Sequence, residues 1–362
     1  MSHVMPHMTY LEAAVVGLIQ GVTELFPVSS LGHNVLIPAL IGGSWATDLN
    51  VAAAESPYLA FIVGLHVATA IALMIYFWRD WVRIIGGFFS SLRHREIKTV
   101  DQKMAWMIIL ATIPVGLVGL LFEHEFRVLF GKPIRAAIFL VVNGLILYAG
   151  ERFRTRKSLA ADAEVAAEAG LADGHAAPGR PAPAVTTSGA RTASAGAGSG
   201  AAAPRAAVPG TAMHASGQRA ARQLEASRAV QADTRLVAIG YVQGVVIGSA
   251  QILALLAGIS RDGVTMVAGM FRGLSRQDAA RFSFLLATPV ILAAGVLKLG
   301  DLTGPLGKGI HGQVLVGSIL SGVGAYVSVR FLMKYFTTRT LTPFAIYCVV
   351  FGVASVIYLS VK

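Results

Sequence analysis

The sequence predicts an all-α polytopic membrane protein built as two inverted repeats, each a re-entrant helix pair plus three transmembrane helices. Three observations carry this reading. Of the 362 residues, 55% are hydrophobic and only 14% charged, against roughly a quarter charged in soluble globular chains. The apolar residues gather in long stretches, several of which reach the roughly 20 residues that cross a bilayer as helix, and the alternating pattern of a transmembrane barrel is absent. These stretches also form two sets that align with each other.

The first set falls at about 9–27, 28–42, 57–78, 104–122 and 134–150, the second at about 235–256, 259–272, 281–299, 313–333 and 341–360. A constant offset of 231 superposes Tyr10 on Tyr241, Gly17 on Gly248, Gln20 on Gln251, Leu25 on Leu256, Ser29 on Ser260 and Gly32 on Gly263. Leu matches arise by chance between apolar stretches; Gln, Ser and helix-breaking Gly in one register point to an internal duplication. The domains are therefore a first membrane half at 1–157, a linker at 158–232 and a second half at 233–362. The linker is rich in Ala, Gly, Pro and Ser, with runs such as Ala195-Gly196-Ala197-Gly198. It carries no sustained apolar period, so it is expected to be a disordered cytoplasmic connection.

Charge sets the orientation. Arg79, Arg83, Arg93, Arg95, Lys98 and Lys103 crowd the loop 79–103, which places it on the cytoplasmic side. Arg272, Arg276 and Arg281, and Lys334 and Arg339, fall on that same side. The crossings close only if 9–42 and 235–272 each enter and leave by one face, leaving three full crossings per half and hence an inverted second half. The net charge of +11 is read as this cytoplasmic excess, with no nucleic-acid partner expected. Met1 to Tyr10 lacks the basic start of a cleavable signal peptide, so the first apolar stretch is expected to act as its own insertion signal. The single cysteine, Cys348, permits neither an internal disulfide nor a cysteine metal site.

Two polar knots interrupt the apolar pattern. In the first, Gln20 and Glu24 lie one helical turn apart and share a face. Pro27 ends that half-helix near Phe26, Ser29 or Ser30 can cap the next, and His33 follows on the face of those hydroxyls. A carboxylate at mid-membrane costs about 2.5–3.5 kcal/mol, so Glu24 needs a partner, a cation or water. In the second knot Gly258 breaks the helix, Ser260 can cap its successor, and Arg261 and Thr265 share a face one turn apart. An arginine at this depth calls for an anion. If the halves are related by a two-fold axis in the membrane plane, two helix N-termini meet there. With Arg261, the groups at Ser29, Ser260, Gly263 and Thr265 then form a phosphate trap. His3, His7 and Glu123-His124-Glu125 lie outside the spans and are read as solvated loop, and Gly116-Leu-Val-Gly119 as a helix-packing surface. No P-loop, dinucleotide fingerprint or HExxH pair is present.

The two knots resemble the motifs of the undecaprenyl-pyrophosphate phosphatase family, also known for bacitracin resistance. The first family motif reads here as Gln20, Glu24, Pro27-Val28-Ser29-Ser30 and Gly32-His33, the second as Ala257-Gly258-Ile259-Ser260-Arg261-Asp262-Gly263-Val264-Thr265. Ala257 departs from the motif's proline, and Asp262 from its serine, adding negative charge beside an anion site. The resemblance implies hydrolysis of undecaprenyl pyrophosphate to the monophosphate and free phosphate in the bacterial plasma membrane, recycling the carrier lipid for peptidoglycan synthesis. Phosphoryl transfer needs charge neutralisation, an in-line nucleophile and a proton acceptor. Arg261 and the helix N–H groups would supply the first. Glu24, with Gln20 as a neutral oxygen ligand, could hold Mg²⁺ or Ca²⁺. Ser30 activated by His33 could attack, or His33 could attack directly; the spacing allows either. A polyprenyl-phosphate or anion transporter on the same scaffold is the competing class, and has no need of a nucleophile beside a base. A phosphatidic-acid-type phosphatase matches only at Ser260-Arg261. A homodimer is compatible with the sequence but not required by it.

Overall fold

The computed structural model describes residues 8–50, 57–130, 132–173, 227–297, 300, 302, 304 and 309–362. Every regular element among them is helical: α1 (Tyr10–Thr23), α2 (Ser30–Ile41), α3 (Gly43–Asp48), α4 (Pro57–Tyr76), α5 (Trp78–His94), α6 (Val100–Phe130) and α7 (Pro133–Asp173). They continue as α8 (Ser227–Ala238), α9 (Tyr241–Ser249), a 3-10 turn (Ala250–Leu255), α10 (Arg261–Phe271), α11 (Arg276–Leu297), α12 (His311–Tyr335) and α13 (Thr342–Val361). Five are long and apolar enough to cross a bilayer, and seven if the bent pairs α4–α5 (87°) and α8–α9 (92°) each count as one. The chain is a multi-pass membrane protein. Residues 1–156 with 229–362 form one compact unit and 157–228 another.

Local chemistry explains where helices begin. At the head of α1, Thr9 accepts from the Glu12 N–H at 3.2 Å while the Glu12 carboxylate takes the Thr9 N–H at 2.7 Å, a reciprocal capping box. Two regions read as connections are in part helical. Residues 158–173 continue α7, because Leu159 to Ala169 is largely Ala and Glu, strong helix formers. Residues 227–232 likewise open α8; the rest of the expected linker lies outside the described residues, as do His3 and His7. The basic loop 79–103 contains α5, whose exposed Trp78, Val82, Ile85, Phe89 and Leu92 recur at helical spacing. Its charge density hid that period.

The bundle is held by small residues at close crossings. A Cβ on Gly17 or Gly21 of α1 would overlap the backbone of Gly317 or Ser321 in α12, and one on Gly248 of α9 would strike Ala111 in α6. By contrast, nothing lies within 4 Å of a Cβ at Gly116 or Gly119, so the expected packing role of that string is not met among the described residues. The arginine expected in a loop at 281 is buried. It hydrogen-bonds Asp233 at 2.9 Å and Asp80 at 3.2 Å, and Arg83 joins the same two carboxylates and Asp101. This network ties α5, α6, α8 and α11 together.

Candidate active site

Both polar knots fall at breaks between helices, and the fold brings the breaks into contact. α1 ends at Thr23, so Glu24 sits at its C-cap, with its N–H on the Gln20 carbonyl at 2.9 Å. Ser29 caps α2, accepting from the Gly32 N–H at 3.2 Å, and Ser260 caps α10, accepting from Gly263 at 3.1 Å. The caps cross-link: the Gly258 N–H donates to the Ser29 hydroxyl at 3.2 Å. Gly258 has φ +111, and a Cβ there would overlap the Ala136 carbonyl, so the position excludes side chains. Asn143 of α7 clamps both knots. Its amide donates to the Pro27 carbonyl and its oxygen accepts from the Ser260 N–H, each at 3.0 Å.

Glu24 is the hub. One carboxylate oxygen holds Arg261 at 2.6 Å; the other accepts from Gln20 at 2.9 Å and from the Ser30 hydroxyl in a short hydrogen bond, with His66 Nε2 at 3.4 Å. Among the described residues, the buried Arg261 Nε has no hydrogen-bond partner. An unmet buried donor is costly, and here it belongs to a cation beside a hydroxyl already bonded to a base.

Residues 13–207 and 202–354 match the family described as bacitracin resistance protein BacA. The chain belongs to that family.

Relatives agree over nearly the whole length. A protein of Mycolicibacterium paratuberculosis named undecaprenyl-diphosphatase is 54% identical, covering 98% of this chain and 99% of the relative. A Frankia alni protein named undecaprenyl-diphosphatase 2 is 51% identical over 96% and 97%, and a Burkholderia orbicola protein of that name is 36% identical over 93% and 92%.

Within this BacA-family site the anticipated residues take unequal places. Gln20, Glu24, Ser30 and Arg261 converge. His33 does not join them: Nδ1 meets the Ser29 carbonyl and Nε2 the Tyr347 hydroxyl, both at 2.7 Å, while the ring lies nearly parallel to those of Tyr347 and Phe351. A carbonyl only accepts, so Nδ1 carries the proton and Nε2 accepts from Tyr347. The base facing Ser30 is Glu24. Of the anticipated phosphate ligands, Ser29, Ser260 and Gly263 spend the polar groups named above on capping, and the Thr265 hydroxyl donates to the Arg261 carbonyl at 2.7 Å. They build the paired helix starts, while among the described residues the buried Arg261 Nε has no partner. Asp262 is buried in the packing against α11, where Ser283 donates to it at 2.6 Å.

The donors suit a hard cation only in part. Among the described residues no group of three His, Cys, Asp or Glu side chains is placed to hold a metal. Gln20 offers its N–H to Glu24 while its oxygen accepts from Asn34. Glu24 and the Ser30 hydroxyl are the available oxygens. His66 and Asn143 were not picked out from sequence. Each is a solitary polar residue in an apolar stretch, and intramembrane polarity of that kind is the signal that marks them.

Proposed function

We propose that this chain hydrolyses undecaprenyl pyrophosphate to undecaprenyl phosphate and inorganic phosphate in the bacterial plasma membrane, regenerating the carrier lipid for peptidoglycan synthesis and conferring bacitracin resistance. The observation that carries the reading is the Ser30–Glu24–Arg261 constellation with its unfilled Arg261 Nε. The distal phosphate takes the place of Glu24 on Arg261, and the freed carboxylate removes the Ser30 proton. Ser30 oxygen bonds to the distal phosphorus as the bond from phosphorus to the bridging oxygen breaks, and undecaprenyl phosphate leaves. Water then cleaves the phosphoserine, releasing phosphate and restoring the hydroxyl. The helix starts at α2 and α10 add partial positive charge where the transferring phosphoryl gathers negative charge.

A Mg²⁺ or Ca²⁺ ion fits as a companion of the substrate. Glu24 would supply one ligand, and ions of this class are commonly held on one or two carboxylates together with substrate phosphate. When bound, it neutralises pyrophosphate charge. A polyprenyl-phosphate transporter would have no use for a hydroxyl bonded to a carboxylate base, so the enzyme reading is preferred.

The inverted-repeat reading is part of this proposal. Helix starts keep the offset of 231, from Tyr10 to Tyr241 and from Ser30 to Arg261. α1 packs on α12 of the other half, while α9 packs on α6. Two re-entrant pairs meeting tip to tip would bring paired helix N-termini to mid-membrane. The test is phosphate release by purified protein from a polyprenyl pyrophosphate, with and without EDTA. Release that EDTA suppresses and Mg²⁺ restores supports the reading; a purified, folded protein that releases none overturns it.

A further inference from the structure

We propose that α5 lies in the plane of one leaflet as an interfacial helix, its apolar stripe among acyl chains and its arginines on the phosphates of anionic phospholipids. α4 runs 20 residues without an Asp, Glu, Lys or Arg, about 30 Å of helix, which matches the hydrocarbon thickness of a bilayer. At Phe77 the chain turns by 87° into α5. A helix set perpendicular to a span, at its end, runs along the membrane surface. Trp78 stands exposed at the corner with the Arg79 guanidinium 5.3 Å from its ring centre, and both residue types suit headgroup depth.

Each residue of α5 advances about 100°, and its side chains sort into three sectors. Asp80, Ile84, Gly87 and Ser91 are buried. They face the protein: a Cβ on Gly87 would overlap Asp101 of α6, and Ser91 accepts from the Trp106 indole N–H at 3.0 Å. Trp78, Val82, Ile85, Phe89 and Leu92, each 46–63% exposed, point away from that contact and form a stripe about 21 Å long. Arg79, Arg83 and Arg93 lie between the two. Arg83 is committed to Asp80, Asp101 and Asp233. Arg79 and Arg93, and Arg95 just past the helix end, form no ion pair among the described residues. The one acidic side chain of α5, Asp80, is buried with Arg83 and Arg281. A basic face beside an apolar face carrying Trp, Phe and Leu holds a helix at a lipid interface, and its positive charge selects anionic headgroups. A second copy docked stripe to stripe would bring two sets of arginines together, whereas lipid phosphates neutralise them.

The experiment uses the full chain in nanodiscs of phosphatidylcholine, with and without phosphatidylglycerol. Spin labels are placed at Phe89→Cys and Arg93→Cys; the native thiol of Cys348 is buried. The label at 89 is expected to be relaxed by dissolved oxygen and shielded from a water-soluble nickel chelate, and the label at 93 to show the reverse preference. Phosphatidylglycerol should raise the melting temperature of the wild type. The triple variant Arg79→Gln, Arg93→Gln, Arg95→Gln should lose about half of that rise or more, as should the wild type in high salt. Nickel access at 89 would overturn the interfacial seat. Spin–spin broadening at 89 would give the stripe to a second copy instead. A folded triple variant that keeps the whole rise would overturn the anionic-lipid assignment, and a triple variant that does not fold leaves the salt dependence of the wild type to decide it, an unchanged rise in high salt being the result against.

Discussion

Ser29 is held at φ +67, outside the regions that non-glycine residues favour, and that turn lets its hydroxyl serve two N–H groups while Ser30 faces Glu24. Strain of this kind persists where the surroundings over-determine it. The residues of the site fix what substitution should do. Arg261→Ala removes the anion partner and is expected to lower phosphate release by about a hundred- to a thousand-fold, with unchanged detergent elution. Arg261→Lys should recover little, since a point charge lacks the planar fork; near-normal turnover in either variant would exclude the assignment. Ser30→Ala should be inactive, whereas Tyr347→Phe, which frees His33 Nε2 but keeps the ring stack, should stay within about ten-fold of wild type, the loss of one hydrogen bond being worth about 1 kcal/mol. Trapped phosphoenzyme should be acid-stable and base-labile; an acid-labile, base-stable adduct would move the attack to His33. The convergence of Gln20, Glu24, Ser30 and Arg261 was legible because each knot is short and its spacing sets a shared face. The partners of His33 were not legible: spacing places a residue on a face but does not reveal that Tyr347, more than 300 positions on, would claim its nitrogen.

At the scale of elements, breaks and caps were legible where chemistry is local. Proline and glycine ended α1 and preceded α10, and the two serines capped as their positions suggested. Pairings between helices were not, because small residues look alike in an apolar stretch. Gly17 meets the backbone of Gly317, while Gly116 meets nothing. Valine at each position tests that contrast. Gly17→Val is expected to destabilise the bundle by about 1–3 kcal/mol, the usual cost of overpacking, and to lower its melting temperature in detergent. Gly116→Val should leave both melting and activity near wild type. Equal melting temperatures for the two variants would contradict the α1–α12 crossing.

On the scale of the molecule, each half of the chain packs a helix on the other: α1 lies against α12, and α9 against α6. Neither half can then bury its apolar crossings alone. Expressed separately, residues 1–173 and 227–362 should each give insoluble or inactive material, and expressed together they should give phosphate release. Activity from one half by itself would refute the exchange. Deleting 178–222 in the intact chain is expected to change kcat by less than about two-fold, since composition gives that stretch no apolar pattern to pack; loss of activity in a folded deletion would assign it a further role. The multi-pass helical architecture was legible because long apolar stretches mark spans irrespective of detail. The salt-bridge network at Arg281 was not, because sequence alone does not distinguish an arginine on a membrane surface from one sealed beneath it.

The Glu24–Arg261 ion pair also gives the reaction a way to end. An empty pocket is self-neutralised, so a ligand must outcompete an internal carboxylate already in place at 2.6 Å. A pyrophosphate has the charge to do so; the singly phosphorylated lipid and the departing orthophosphate each have less. Once the phosphoserine is hydrolysed, Glu24 would reclaim the guanidinium and displace what remains. Turnover would thus be protected from inhibition by its own products, and Glu24→Gln, besides being slow, should retain phosphate more tightly than the parent.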